Sequence, residues 1–459
     1  MARRRGSHRS AASSVMLALM LLANAAAGAA LADDGGDAVL LDSRRYEVIA
    51  GRFSVFAEFQ RRLQAVLNEC GKAEPAVVPP GQRPTGRIGP ETRLAIQRVM
   101  TCPAAASVPN PSRASEGIIT EQLWRAVMGN QALPTVKDRA HAMILSFEAT
   151  DFGDAPEWNL CQNGSRKGWF GGLTCYNETD PCSYLTWGPR GATAGTGREI
   201  QLILWKVEKQ HPDLIKSAFG SEYPNLARFF RLNAGAKDSC EGPVPLKIFL
   251  CAIWTDASRR LIWEKALARL GEEPAIRKAY DALYALDEFD GGKLHEFYDL
   301  WSAVGLAPSE IDYAFFLDRA THLGGPPPET GQTARAISQC MSHESGSVSK
   351  NGSARRCLAR LQKHETQQED RMARDVAYYL DAYRDGALDE REVRAWAKYV
   401  PLSANHNFGL RDDKPFAFAK TGTLGGQGHD LPNAVSTELT PQEIASCPAS
   451  VLSPIKRTP

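Results

Sequence analysis

Apolar residues recur every three or four positions along most of the chain, which is the spacing that gives a helix one buried face. Residues 51–128 hold two such stretches, a glycine-containing turn between them, and a third short stretch. Another stretch begins at Thr135, where Asp138 stands at the position of a capping partner. The same spacing dominates from there to about residue 323. We therefore expect a mainly α-helical fold.

Breaks in this pattern divide the chain. Gly271 is expected to cap the end of one helix and Ser309 the start of another, and prolines at 326–328 interrupt the pattern. Gly, Pro, Asn and Ser become frequent after residue 401, so we expect little regular structure there. The predicted organisation is a leader at 1–32, a first domain at 46–130, a second domain at 134–325, a helical region at 332–400 and an irregular tail at 401–459.

The leader has the three regions of a secretory signal peptide. Arginines at positions 3, 4, 5 and 9 come first, an unbroken apolar run covers residues 15–22, and Ala30-Leu31-Ala32 forms a small-x-small cleavage site. The run is too short to cross ~30 Å of hydrocarbon as a helix. We expect cleavage and export to the periplasm or the medium, with no membrane span in the mature chain.

Charge argues against one class of partner. Removing the four arginines of the leader from 54 basic residues leaves 50, against 53 acidic residues. A nucleic-acid-binding protein normally carries a basic excess. We therefore expect no nucleic-acid partner, and we expect a monomer.

All ten cysteines follow the leader, and an even number of cysteines in an exported chain favours disulfides. Cys161, Cys175 and Cys182 cannot satisfy one another, so at least one of them should reach Cys240 or Cys251. We also expect two pairs within helical regions, Cys70 with Cys102 and Cys340 with Cys357. The sequence contains no Cys-x-x-Cys, His-Glu-x-x-His or Gly-x-Ser-x-Gly run. We therefore expect no metal site, no cofactor and no serine nucleophile.

The turn in the first domain carries a motif, Gly86-Arg87-Ile88-Gly89-Pro90-Glu91-Thr92-Arg93-Leu94-Ala95, and Leu63-Gln64 stands in the helix before it. Glycine permits a tight turn, and proline suits the first position of a helix. This stretch resembles the peptidoglycan-binding domain of bacterial cell-wall hydrolases, although Thr85 stands where that family has an acid. The resemblance implies a three-helix fold that binds peptidoglycan. The alternative is a three-helix spacer that binds nothing.

Glu148 ends the helix that starts after Thr135, and it follows Phe147. A carboxyl group held against apolar surface has its pKa raised, because burial penalises the charged form. Such a group can protonate the leaving oxygen of a glycoside near neutral pH. Glu148 is therefore the candidate general acid.

A second motif follows, in which Asp180 precedes Thr186 by five intervening residues and Gly188 by seven. It resembles the β-hairpin of phage-type lysozymes, and the turn Gly195-Thr196-Gly197 is similar to one in the chitosanase branch of the same superfamily. The resemblance covers about residues 135–325 and implies a lysozyme-like α+β domain with an inverting mechanism. Asp180 would be the base that activates water, and Thr186 would help to hold that water. The carboxyl groups of such a pair stand ~6.5–9.5 Å apart.

Aromatic faces stack on sugar rings, so Tyr184 and Trp187 are candidate substrate-binding residues, together with Gly195 and Thr196 of the turn. The alternative for these rings, and for Trp158 and Trp169, is the packing of a small lobe.

The second carboxylate is open to alternatives. Glu148 and Asp180 are 32 positions apart, which is far more than in phage lysozymes. Asp151, Asp154 and Glu178 are rivals for the role of Asp180. A further run at 381–392 partly matches a calcium-binding loop, but Tyr383 occupies its third position, and we interpret the run as solvent-exposed charge.

Together these features predict an exported glycoside hydrolase that cleaves β-1,4 links of an aminosugar polymer, with peptidoglycan as the first candidate and chitosan or chitin as the second. The alternative from another class is a non-catalytic peptidoglycan-binding or scaffold protein that keeps the lysozyme-like fold.

Overall fold

The structure is a computed structural model of the whole chain. It describes residues 37–44, 47–106, 108, 114, 116–148, 151–160, 168–170, 173–175, 182–195, 197–232, 243–285, 290–323, 326–327, 329–343, 349–362, 379, 408–417, 431, 439–448 and 451. Within these ranges, only the backbone is described for 147–148, 168–170, 173–175, 284–285, 290–292 and 322–323. The predicted signal peptide and the run at 381–392 lie outside the described residues.

The fold is mainly helical, as the periodicity predicts. The helices, in chain order, are α1 (Val55–Glu69), α2 (Pro90–Val99), α3 (Glu121–Met128), α4 (Val136–Glu148), α5 (Glu199–Gln210), α6 (Pro212–Phe219), α7 (Tyr223–Phe229), α8 (Pro245–Thr255), α9 (Ala257–Gly271), α10 (Pro274–Ala285), α11 (Asp290–Val304), α12 (Glu310–Leu323), α13 (Thr330–His343), α14 (Lys350–Leu361) and α15 (Pro441–Ser446).

The strands are short, and every described pair is antiparallel. In chain order they are β1 (Val39–Asp42), β2 (Val48–Ile49), β3 (Arg87–Ile88), β4 (Ile118–Thr120), β5 (Glu157–Trp158), β6 (Gly168–Phe170), β7 (Leu173–Cys175), β8 (Ser183–Trp187) and β9 (Ala192–Gly195). Strand β1 pairs with β4, β2 with β3, and β6 with β7, while β8 lies between β5 and β9 in a sheet of three strands.

The chain forms two compact units that interleave along the sequence. The first unit combines residues 1–147 with 296–418, and the second combines 148–295 with 419–459. The helices predicted within 134–325 therefore divide between both units. The domain limits drawn from the sequence remain predictions.

The first unit begins with helices α1, α2 and α3, packed around a small aromatic core. The ring of Trp124 stacks on that of Phe59, with centroids 5.3 Å apart, and meets the edge of Phe56 at 5.9 Å. All three side chains are buried. Cys70 and Cys102 form the expected disulfide, which joins the end of α1 to the segment after α2.

We call the predicted first domain, residues 46–130, the first module. A positive φ and buried hydrogen bonds explain the residues of its glycine motif. Gly86 has a φ of 68°, and a Cβ there would lie 2.0 Å from the carbonyl oxygen of Gly51, so only glycine fits. The Gln60 side chain accepts from the N–H of Gly86 at 2.8 Å and donates to the Thr92 hydroxyl at 2.9 Å. Thr85, where the family has an acid, accepts from the N–H of Arg87 at 3.1 Å.

The later helices of the first unit enclose a buried ion-pair network. Arg355 of α14 donates to Asp312 of α12 at 2.6 Å and to Asp412 at 2.7 Å. Burial opposes the charge on Arg355, but the two carboxylates outweigh it and raise its pKa. Ser309 caps α12 as predicted, because its hydroxyl accepts from the N–H of Asp312 at 3.2 Å. The expected pair of Cys340 and Cys357 joins α13 to α14.

In the second unit, helix α8 is buried over most of its length, and a disulfide ties it to the tail. Cys251 of α8 pairs with Cys447, which excludes Cys251 as the partner of the three earlier cysteines. Cys182 is also disulfide-bonded, and Cys240, the other predicted partner, lies outside the described residues. The tail after residue 401, for which we expect little regular structure, contains one short helix, α15, which Thr440 and Glu443 start with a capping box.

Gly271 also differs from its prediction. It is the last residue of α9 and does not take a left-handed cap conformation. A Cβ at this position would lie 2.2 Å from the carbonyl oxygen of Phe152, so the close approach of two backbones requires the glycine. Within the described part of the chain, no helix is long and apolar enough to cross a membrane.

Candidate active site

Helix α4 carries the candidate acid at its end. It starts as predicted, with the Thr135 hydroxyl accepting from the N–H of Asp138 at 3.1 Å and the Asp138 carboxylate accepting from the N–H of Thr135 at 2.8 Å. Glu148 is its last residue and the first residue of the second unit. The Glu148 side chain lies outside the described residues, so its raised pKa stays a prediction.

Two candidates for the second carboxylate, Asp180 and Glu178, lie outside the described residues. Thr196 of the Gly-Thr-Gly turn lies outside them as well. Asp151 and Asp154 are described, and they close the turn that follows α4. The Asp154 carboxylate accepts from the N–H of Asp151 at 2.7 Å, and the N–H of Asp154 donates to the carbonyl of Asp151 at 3.1 Å. These two residues therefore have a local structural role.

The aromatic candidates that the structure describes are buried, which favours the packing alternative. Tyr184 is 0% exposed and Trp187 is 2% exposed. The Trp187 ring packs edge-on against Tyr280, and its Nε1 donates to the carbonyl of Phe152 at 3.3 Å. Trp158 is buried as well, and its Nε1 donates to Glu264 at 3.1 Å. No face of these rings is open to a sugar, and the packing alternative accounts for them.

One glycine of the Gly-Thr-Gly turn has a steric reason. A Cβ on Gly195 would lie 1.8 Å from the carbonyl oxygen of Cys182, so the two segments can approach here only if residue 195 is glycine. A Cβ on Gly197 would lie 2.0 Å from Oε1 of Glu199, the end of a flexible side chain that can shift, so glycine is not required at 197. The proposed substrate contact of Gly195 is not needed to explain its identity.

Thr186 lies in a row of polar residues on one face of the three-stranded sheet, opposite to the face of Leu185 and Trp187. It pairs directly with Glu157 of β5 on one side and with Thr193 of β9 on the other. Residues paired in this way point to the same face of a sheet. Both threonines are half-buried, whereas the residues that flank them in sequence are buried: Leu185, Trp187, Ala192 and Ala194. The row therefore lies on the more open face.

Each threonine of this pair has a polar neighbour. The side-chain amide of Asn159 donates to the Thr186 hydroxyl at 2.7 Å. The N–H of Thr193 donates to Oε2 of Glu199 at 3.0 Å, and the Thr193 hydroxyl donates to the same oxygen. Glu199 is the first residue of α5. We call Thr186 and Thr193 the threonine pair.

The residue before Glu199 is strained. Arg198 has a φ of 56°, a left-handed conformation that costs about 1–3 kcal/mol in a residue other than glycine. Its guanidinium donates to the carbonyl of Phe230 at 2.9 Å, and burial lowers its pKa. Strain of this kind often marks a position that the surrounding fold holds for a purpose.

Sequence reasoning missed Asn159, Thr193 and Glu199. Their signal lies in the strand register, which pairs Thr186 with Thr193, and strands of four or five residues carry too little periodicity to reveal it. The chain matches no family model, no curated protein and no solved structure in the comparisons. The two resemblances therefore stand on the residues alone.

Proposed function

We propose that the protein is an exported glycoside hydrolase that cleaves β-1,4 links of an aminosugar polymer, with peptidoglycan as the first candidate. One observation carries the proposal: α4 ends at Glu148, a small antiparallel sheet with polar residues on its open face follows, and α5 comes directly after it. That order of elements is what the resemblance to the lysozyme superfamily implies. Chitosan is the second candidate substrate.

In this proposal the two carboxyl groups divide the chemistry. Glu148 gives its proton to the leaving oxygen of the glycosidic bond. A water molecule at the open face of the sheet attacks the anomeric carbon from the opposite side, and a second carboxylate takes the proton of that water. Asp180 is the candidate for the second carboxylate, with Thr186 beside the water.

Compartment and cysteine usage agree with this proposal. Three cysteine pairs in the described residues stand at disulfide distance, with Cα atoms 5.5–5.9 Å apart. Disulfides persist in oxidising compartments, so these pairs are compatible with an extracellular or periplasmic protein. We propose that the signal peptide directs the chain there and that the first module holds it on peptidoglycan.

The catalytic proposal is tested with purified cell walls and with chitosan. Glu148→Gln keeps the size of the side chain and removes its acidic proton, so we expect loss of wall clearing by at least about 100-fold. Glu296→Gln is a matched control, because Glu296 is an exposed residue of α11, outside the proposed binding and catalytic residues. It should clear walls like the wild type.

Equal clearing by wild type and Glu148→Gln would contradict the role of Glu148. If neither protein cleaves a polymer but both sediment with walls, the non-catalytic wall-binding alternative is the correct one. Faster release of reducing ends from chitosan than from walls would make chitosan the substrate.

A further inference from the structure

The two hydroxyl groups of the threonine pair have opposite hydrogen-bonding roles: Thr186 can donate to a ligand, and Thr193 can accept from one. We propose that Thr186 and Thr193 together hold the attacking water in one orientation, and that Asn159 and Glu199 are positioning residues that set this orientation. The inference rests on the proposed hydrolase function, and it names the residues that hold the attacking water in that function.

Thr186 is fixed as a donor. A hydroxyl group has one hydrogen to donate and two lone pairs that accept. Because the Asn159 amide donates to Oγ1 of Thr186 at 2.7 Å, one lone pair is occupied. The hydroxyl hydrogen has no acceptor among the described residues and is available to donate to a ligand.

Thr193 is fixed as an acceptor. Its hydroxyl hydrogen goes to Oε2 of Glu199, which also accepts the N–H of the same residue at 3.0 Å. The two interactions leave only lone pairs on the Thr193 oxygen for a ligand. A carboxylate cannot donate in return, so the polarity of Thr193 is set as long as Glu199 is ionised.

The register brings the two hydroxyl groups together. The N–H of Thr193 points to Glu199 and not to β8, which makes Thr186 and Thr193 a non-hydrogen-bonded pair. In such pairs the Cα atoms lie about 4.5 Å apart and the side chains are closest. One water molecule can therefore bridge the donor and the acceptor on the same face.

A water held in this way has one lone pair and one hydrogen left. It accepts from Thr186 and donates to Thr193. Its second hydrogen is available to the second carboxylate of the proposed mechanism, and its second lone pair is available to substrate. In the reaction that lone pair forms the bond to the anomeric carbon as the glycosidic bond breaks. The Glu148 proton goes to the leaving oxygen, and the second water proton goes to the second carboxylate.

The position of Glu199 is built by the local backbone. Arg198 takes a left-handed conformation directly before Glu199, the first residue of α5. A helix start with an acid as its first residue does not need this conformation. It is explained if the Glu199 carboxylate must reach Thr193.

The test measures kcat, KM and product on soluble wall fragments for Thr186→Val and Thr193→Val, which remove one hydroxyl and keep the shape. We expect kcat to fall about 10- to 100-fold with KM unchanged, because a misplaced nucleophile costs rate and not binding. Thr186→Ser and Thr193→Ser should stay within about threefold of the wild type. Thr255→Val is the control, since this half-buried threonine of the same unit donates only to the backbone of α8.

Asn159→Asp tests the polarity itself. The new carboxylate would accept the hydrogen of Thr186, so we expect the same fall in kcat although the hydroxyl is still present.

Two results would overturn the inference alone: wild-type kcat in both valine variants, or wild-type kcat in Asn159→Asp. In either case, loss of cleavage by Glu148→Gln would leave the hydrolase proposal standing. A wild-type protein that cleaves neither walls nor chitosan would overturn the inference and the proposed function together.

Discussion

Two regions carry motif-like residues, the glycine turn of the first module and the three-stranded sheet of the second unit, and they use their polar groups differently. In the module, Gln60 and Thr92 are buried, and they hydrogen-bond each other and the backbone. On the sheet, Thr186 and Thr193 are half-buried, and each keeps hydrogen-bonding capacity beyond the hydrogen bonds that it makes.

The difference separates what a motif says about folding from what it says about function. A buried polar group must be satisfied internally, so a residue such as Thr92 is required by the fold whatever the module binds. A half-exposed hydroxyl has water as an alternative partner and is not required by the fold. The unused capacity of Thr186 and Thr193 therefore leaves them available for the proposed role, whereas the motif residue Thr92 is explained by the fold.

The largest effect should come from adding a methyl group inside the glycine turn. Gly86→Ala forces a left-handed alanine and an overlap with the Gly51 carbonyl, so we expect the free energy of unfolding to fall by about 2–5 kcal/mol. Urea unfolding of the first module, followed by tryptophan fluorescence, would measure it.

Gly81→Ala is the matched control for that substitution. Gly81 also has a positive φ, of 74°, but nothing lies within 4 Å of its would-be Cβ. Only the conformational cost of about 1–2 kcal/mol should remain. If both variants lose the same free energy of unfolding, the overlap at Gly86 does not contribute to the loss.

A smaller effect should distinguish the two threonines. Thr92→Val removes a buried partner of Gln60, and we expect a loss of about 1–3 kcal/mol in stability with wall clearing unchanged. Thr186→Val should cost less than about 1 kcal/mol, because water can replace the hydroxyl beside Asn159. If Thr186→Val destabilises the chain as much as Thr92→Val, the two threonines do not differ in the way that their hydrogen bonds predict.

The smallest expected effect is a pH dependence of stability. It tests whether a polar residue is structural because its hydrogen bonds are complete, even when it lies in the same unit as the sheet. Glu222 lies in the second unit with the sheet, and Arg259 donates to its carboxylate at 2.9 and 3.1 Å and Trp263 at 3.1 Å. Burial would raise the pKa of Glu222, but these hydrogen bonds outweigh burial and lower the pKa from its ordinary value of 4.5. Stability from an acid with a depressed pKa is present above the unfolded pKa and is lost as the pH falls below it.

Glu222→Gln should therefore be less stable than the wild type at neutral pH, and the difference should shrink as the pH falls from about 6 to 3. Activity near neutral pH should not change. A constant stability difference over that range would contradict the assignment, and so would a loss of kcat without a loss of stability.

Much of the fold could be predicted because its signals are local. The caps at Thr135 and Ser309 need only residues within one helical turn, and the pair of Cys340 and Cys357 spans 17 positions. The Cys251–Cys447 disulfide spans 196 positions, and no local pattern selects that partner. Strands β1 to β4 have two to four residues each, too few for a period to be visible.

The candidate site was harder to predict for a related reason. Glu148 could be placed at a helix end from helical spacing, and the structure ends α4 there. The sequence leaves Tyr184 and Trp187 open between a sugar site and a core, because aromatic residues suit both, and only burial tells the two apart. Thr193 and Glu199 meet through a strand register and a left-handed residue, and neither is readable from residue type.

The bridge between Cys251 and Cys447 closes a covalent ring that includes residues 296–418 of the first unit. A protease that cuts any single peptide bond inside this ring releases no fragment as long as the disulfide is intact. The cut chain would migrate as one species until a reductant is added, and then as two. In the compartment proposed for this protein, one nick in that stretch would leave the molecule in a single covalent piece.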